Sequence, residues 1–283
     1  MKIMNDMSVT EIIRKRKSSR TYVDKPLERE KKEQVLQFAS TLGSPPFGSA
    51  VRFEIVDLDL KFTGKVYGTY GVIKGAETFL ACIVKKGPGD MEDAGYLFEQ
   101  VILFATAMGL DTCWMGASFS RSLFSDKMAL ASDEMIPVVS PMGYKAGRPS
   151  IMDVVFHVSA GAKKRKSRSD LFFHRTWDAP LEKKDAGSLD VPLEMVRLAP
   201  SAVNKQPWRL LLDEDGVHFF LMRTNGFKRM FAVDLQRIDM GIAMCHFELA
   251  AVEEGVIGRW KKGNSGPPPA ADGMEYIASW EFE

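Results

Sequence analysis

The feature that most constrains this chain is that it repeats itself. Residues 93–114, DAGYLFEQVILFATAMGLDTCW, lie without a gap over residues 239–260, DMGIAMCHFELAAVEEGVIGRW, at an offset of 146 (93 to 239). Asp93/Asp239, Gly95/Gly241, Leu103/Leu249, Ala105/Ala251, Gly109/Gly255 and Trp114/Trp260 coincide. Helical periodicity alone aligns apolar positions; it does not align an aspartate, a glycine and a tryptophan. Shorter matches extend the overlap, Lys25 to Glu28 against Ala179 to Glu182 and Val51-Arg52 against Trp208-Arg209. At about 150 residues per domain the 283-residue chain would read as a little under two domains. The repeat recasts it as two diverged copies of one unit in one globular body, drawn at 1–162 and 163–283.

Charge removes several classes of function. Lys plus Arg total 38 against 37 Asp plus Glu, a net +1, so no whole-molecule field draws nucleic acid or an anionic membrane. Any anion site must be local. Cys82, Cys113 and Cys245 are too few and scattered for a disulfide framework or a zinc knuckle, which favours a reducing cytoplasm. The longest apolar runs, 79–84 and 101–105, fall far short of the ~20 residues a membrane span needs.

Helices and strands interleave. Ser8 with Glu11 reads as a capping box opening a short helix that ends near Lys17. A second helix is predicted over 26–42, with Val35, Leu36, Ala39 and Leu42 on one face. Strands follow over 51–58 and 77–84, then a buried helix over 91–108 stopped by Gly109, and a strand over 153–159. The basic connector AGAKKRKSR, within 160–168, marks the boundary. Past it come a helix over 191–199, a hairpin pairing 208–213 with 217–222, a long helix over 234–254 and a last strand over 275–282.

No GxGxxG, Walker A, HExxH or GxSxG motif is present, and His157, His174, His218 and His246 are isolated. His246, beside Cys245 on an apolar helix, reads as a core residue, and no metal site is expected. Four segments suit a phosphate and a flat heteroaromatic ring. Residues 16–20, RKSSR, bring guanidinium forks, hydroxyls and loop amides together. Residues 200–208, PSAVNKQPW, form a rigid turn bearing two carboxamides, which both donate and accept. Residues 163–168 add a second basic stretch, and 109–117, GLDTCWMGA, offer a turn of backbone N–H groups. Each also has a plainer reading: a solvated helix end, a decorated loop, a surface tail and a helix stop.

Taken in this order, the segments resemble the nitroreductase family of FMN-dependent oxidoreductases. Residues 16–22 are similar to its RRSxRxY element, 199–208 to its PSxxNxQPW element, 166–168 to its late phosphate clamp, and GLDTCWMG with Ile136-Pro137 and Gly143-Tyr144 to its GLGTxWxG, IP and GY run. The resemblance implies an α+β fold of mixed and antiparallel sheets flanked by helices, its two repeats forming a pseudo-dimer. One departure is informative: about 180 residues separate the first element from PSxxNxQPW (Arg20 to Pro200), one in each half. The first half's counterpart of the turn has Phe47 where Asn204 lies and Ser49 where Gln206 lies. The second half's counterpart of the basic element is 171–175, LFFHR.

Family homodimers take the phosphate clamp from one subunit and the turn from the other. The resemblance therefore implies one FMN site and one dead site between the halves of a monomer. Arg16, Ser18, Lys166 and Arg168 would hold the phosphate, and Pro200, Ser201, Ala202, Asn204 and Gln206 would meet the ring and ribityl chain. A backbone N–H from Met115, Gly116 or Ala117 would face N5, and Arg20 would place positive charge near N1 and O2. Lys74 is a further candidate, and Tyr67 and Tyr70 are candidates for the acceptor pocket. NAD(P)H would donate hydride and a small electron-poor molecule, a quinone or nitroaromatic, would accept it; no catalytic side chain is required. The alternatives are a non-catalytic FMN store or sensor, and a nucleic-acid module using 163–168.

Overall fold

The computed structural model describes residues 7–58, 69–147, 164–261 and 269–283. The strand expected over 153–159, and with it His157 and Tyr67, lies outside them.

The first half runs α1 (Val9–Lys15), α2 (Arg29–Ser40), β1 (Val51–Asp57), β2 (Thr78–Lys85), α3 (Asp90–Ala107), β3 (Asp111–Thr112), α4 (Arg121–Ser125) and β4 (Glu134–Gly143). The second runs β5 (Phe172–His174), α5 (Asp190–Leu198), β6 (Trp208–Leu212), β7 (Gly216–Met222), α6 (Leu235–Glu253), β8 (Gly258–Lys261) and β9 (Met274–Phe282). One sheet has the order β1-β2-β4-β3 and the other β5-β6-β7-β9-β8. With β5 set aside, the second order repeats the first strand for strand. Pairings between these strands are antiparallel except that β5 lies parallel to β6.

The helices α3 and α6 pack against each other at the centre, buried from Met91 to Thr106 and over most of α6. Their contact explains the matched glycines. A Cβ on Gly95 would come 2.2 Å from the Ile238 carbonyl oxygen, and one on Gly241 would come 1.9 Å from that of Glu92. At the offset of 146, Gly241 is the counterpart of Gly95 and Ile238 of Glu92. The two contacts are one contact seen twice, as across the two-fold axis of a homodimer. The chain is therefore an intrachain pseudo-dimer.

The matched aspartates hold turns. Asp93 accepts from the N–H groups of Phe47 and Ser49, both at 2.8 Å, and Asp239 accepts from Ala202 N–H at 2.9 Å. The matched tryptophans donate their indole N–H to helix glutamates, Trp114 to Glu99 and Trp260 to Glu248, both at 2.6 Å. At the N-terminus of α1 the capping box of Ser8 and Glu11 forms, and Glu253 of α6 accepts from Val9 N–H at 2.6 Å and Thr10 N–H at 3.1 Å. The first helix thus docks on the second half. Among the described residues no helix is long and apolar enough to cross a membrane.

Candidate functional site

A cavity of about 500 Å³ opens between the halves. That lies within the 300–1,000 Å³ usual for a small-molecule site. The first half supplies Arg16, Lys17, Ser18, Arg20, Val72, Cys113, Trp114, Gly116, Ala117 and Ser118. The connector and second half supply Arg165, Pro200, Ser201, Ala202, Val203, Asn204, Phe231 and Leu235.

The segment after α1 is laid along the end of β3. Ser18 bridges Thr112, Ser19 N–H donates to Thr112 O at 2.9 Å, and Ser19 Oγ donates to Asp111 Oδ1 at 2.8 Å. This fixes Arg16 with its side chain only 8% exposed. Its Nε lies 3.7 Å from Glu99 Oε1, too far for a hydrogen bond, and both Nε and Nη1 are buried without a hydrogen-bond partner. Glu99 is already engaged, by Trp114 at Oε2 and by His246 Nε2 at 2.9 Å from Oε1. His246 Nδ1 lies 2.9 Å from Met195 O, which can only accept, so that nitrogen carries a proton. His246 is a core residue, wedged between a carboxylate and a helix carbonyl.

The turn at 200–206 is held in an unusual backbone. Val203, Asn204 and Gln206 have φ of 49°, 53° and 48°. For a β-branched residue such as Val203 this left-handed conformation is an outlier, and each such position costs on the order of 1–3 kcal/mol. Its hydrogen bonds knit it to the connector. Arg165 donates to Leu198 O (2.9 Å), Ala199 O (2.8 Å) and Asn204 Oδ1 (3.1 Å), capping the last carbonyls of α5. Asn204 Nδ2 donates to Lys164 O at 2.9 Å, and Gln206 Oε1 accepts from Lys166 N–H at 2.8 Å. Arg16, Lys17, Arg20 and Arg165 thus converge on one cavity of a nearly neutral molecule. Burial, with repulsion from Arg16 and Arg197, pushes the Arg165 guanidinium down to about 10.

A sequence profile of the family described as "Putative TM nitroreductase" matches residues 8–251. The chain belongs to that family. A crystal structure of a nitroreductase-like protein from Thermotoga maritima MSB8 is similar over 99% of this chain and 95% of its own, with 18% identity and a TM-score of 0.62. At that identity the likeness shows the fold, and it does so over both halves of a single chain. Clostridium difficile proteins cover about half of this family member: one from strain 630 shares 21% identity over 52% of this chain and 90% of its own, TM-score 0.41. Another, from strain R20291, shares 22% over 49% and 88%, TM-score 0.41. No curated protein matched.

Of the residues singled out from sequence, the family member brings Arg16, Ser18, Arg20, Gly116, Pro200, Ser201, Ala202 and Asn204 together in the cavity. Met115 is placed otherwise: its N–H donates to Val139 O and its carbonyl accepts from Val139 N–H, both at 3.0 Å. Among the described residues, the N–H groups of Gly116 and Ala117 have no acceptor. Lys166 donates through Nζ to Gln206 O at 3.2 Å, and Arg168 turns to Asp190 at 3.0 Å. The buried Gln206 carboxamide is spent on the connector and turn. Lys74 joins through its backbone, donating to Arg20 O and accepting from Tyr22 N–H, and Tyr70 is 65% exposed. Sequence reasoning missed Arg165, Trp114, Phe231 and Leu235. Arg165 stood inside the basic run, but which cation of such a run turns inward depends on the backbone path.

Proposed function

We propose that the cavity binds FMN and that the protein is an oxidoreductase taking hydride from NAD(P)H and passing it to a small electron-poor acceptor. Family membership supports the reading, and one observation carries it: the buried Arg16 guanidinium has two nitrogens without a hydrogen bond in a cavity completed by the other half. Buried donors left without hydrogen bonds cost free energy that a phosphate would recover. The remaining lining fits the rest of the group, with Trp114, Val72, Phe231 and Leu235 for a flat ring and, at Gly116 and Ala117, backbone N–H groups that have no acceptor among the described residues.

When bound, FMN supplies two-electron chemistry at N5 of its ring. Arg16 and Ser18 would hold the phosphate, with Arg165, which lines the cavity, as a further cation in place of Lys166 and Arg168, which do not line it. Asn204 acts by anchoring Arg165, and Gln206 by anchoring the connector. Arg20 sets positive charge beside the ring, and the N–H of Gly116 or Ala117 meets N5 in the role first given to Met115. Pro200, Ser201 and Ala202 close the site from the second half. Among the described residues only this pairing brings a basic clamp and the carboxamide turn together, which supports one FMN per chain.

The test is direct. The purified protein, mixed with FMN and desalted, should retain the flavin's visible absorption at one equivalent and lose it on anaerobic addition of NADH or NADPH. A protein that stays colourless refutes FMN binding. A yellow protein that neither reduced nicotinamide bleaches refutes the oxidoreductase reading and leaves a flavin store or sensor.

A further inference from the structure

Beside the cavity stands a cation that the proposed site does not use. Arg121 opens α4, and its Nη2 donates to Gly116 O at 2.6 Å and reaches Pro137 O at 3.3 Å. Its guanidinium lies 4.7 Å from the ring centre of Phe119, itself edge-on to buried Phe124. The Nε is buried with no hydrogen-bond partner, and among the described residues no carboxylate pairs with Arg121. Burial pushes its pKa down, with the phenol of Tyr70 the opposing influence. Arginine keeps its proton even so. An uncompensated positive charge is therefore fixed behind the wall of the cavity.

The carbonyl that receives it belongs to the peptide joining Gly116 to Ala117, whose N–H lies in a cavity-lining segment. A charged donor on that amide oxygen fixes the peptide's orientation, and in a low-dielectric wall its positive charge is felt inside the cavity, where it favours negative charge on a bound group. Gly116 is also pressed from the other half, for a Cβ there would come 2.4 Å from Leu235 Cδ2. The peptide is thus held on one side and charged on the other.

We propose that Arg121 is a positioning residue that holds the Gly116–Ala117 peptide and, through its own unpaired charge behind the cavity wall, makes the cavity favour the reduced, more negative form of its flavin over the oxidised form. This rests on the FMN reading above and adds a residue that touches neither cofactor nor substrate. Arg121→Gln keeps a donor for Gly116 O but removes the charge, and Arg121→Lys keeps the charge.

The experiment measures the midpoint potential of bound FMN, with dissociation constants for oxidised and reduced flavin, in the full-length protein. In Arg121→Gln, reduced flavin should lose about tenfold more affinity than oxidised flavin, which lowers a two-electron potential by ~30 mV. Arg121→Lys should stay within about threefold of the parent ratio. A ratio in Arg121→Gln equal to the parent's overturns the proposal and leaves FMN binding intact. If Arg121→Gln does not fold, Ser125→Glu, four residues along α4, sets a carboxylate against Arg121 from outside. An unchanged ratio there overturns the proposal equally. If the parent protein binds no FMN, the wider reading falls, and this one with it.

Discussion

Replacing Gly241 or Gly95 with alanine tests the pseudo-dimer at its closest point. The new Cβ would sit 1.9 Å from the Glu92 carbonyl oxygen in one case and 2.2 Å from that of Ile238 in the other. A relaxed contact needs more than 3 Å, so α3 and α6 must part by roughly 1 Å, because a helix carbonyl cannot rotate aside as a side chain can. Overpacking of this kind costs about 3 kcal/mol at the upper end. Alanine returns about 1 kcal/mol of helix propensity, leaving a net loss near 2 kcal/mol. In a chain of this size that lowers the melting temperature by roughly 3–4 °C. The two substitutions should cost similar amounts, since each is the other's image. They should also be sub-additive: once one has spread the helices, the second meets a partly opened interface. Urea unfolding of the two singles and the double, compared at equal m-value, reads all three expectations. Either single variant as stable as the parent would refute the close approach, and full additivity would refute a shared displacement.

Arg16→Ala should weaken FMN roughly ten- to a hundredfold, the worth of one charge-assisted contact, in a titration of flavin fluorescence. Phe47→Ala should leave one FMN per chain with affinity within about threefold while lowering stability by about 2 kcal/mol, because its half-buried ring covers Gly89 rather than a ligand. Two FMN per chain in any variant would contradict the single site. Lys166 gives a pH signature. Burial, then Arg209, push its pKa in the folded state down to about 8 from 10.5. Between those values the unfolded chain holds the extra proton, so stability should rise from pH 8 to 10.5 relative to Lys166→Gln. Urea midpoints of the two proteins that run parallel over this range would refute the shift.

The repeat was legible because its matched residues each do something an apolar side chain cannot. Gly95 and Gly241 let two backbones touch, Asp93 and Asp239 take up turn amides, and Trp114 and Trp260 tie strand ends to helix glutamates. The central strand β4 was hidden by Pro137 and Pro141, since proline within a run argues against an inner strand. The structure absorbs the first through a register shift in β2 between Cys82 and Val84, opposite Pro137. Short β5 and β8 carried too few residues to show a period. The helix over 26–42 contracted to Arg29–Ser40, and Leu36, expected on its inner face, is 36% exposed. At the site, motif order located the loops, but only coordinates show that Met115 is paired, that Arg168 faces Asp190 and that Arg165 turns inward.

Why the proposed site uses one turn and not the other follows from what each aspartate receives. Asp93 takes one turn N–H on each oxygen, and the turn reaches it using left-handed backbone only at Gly48. Among the described residues Asp239 takes Ala202 N–H alone; its Oδ2 is buried without a partner, and burial pushes its pKa well above its ordinary value. The counterpart of Ser49 N–H is Gln206 N–H, which donates instead to Ser201 Oγ at 2.9 Å. The second turn therefore forgoes a hydrogen bond and carries three strained residues, with Asn204 at the cavity and Gln206 on the connector. In a homodimer that cost would fall on both sites, because every substitution appears twice. A fused pair separates the two demands. The first turn is free to become a relaxed brace for the shared helices, and the stability it contributes lets the second hold the strained arrangement that the cavity requires.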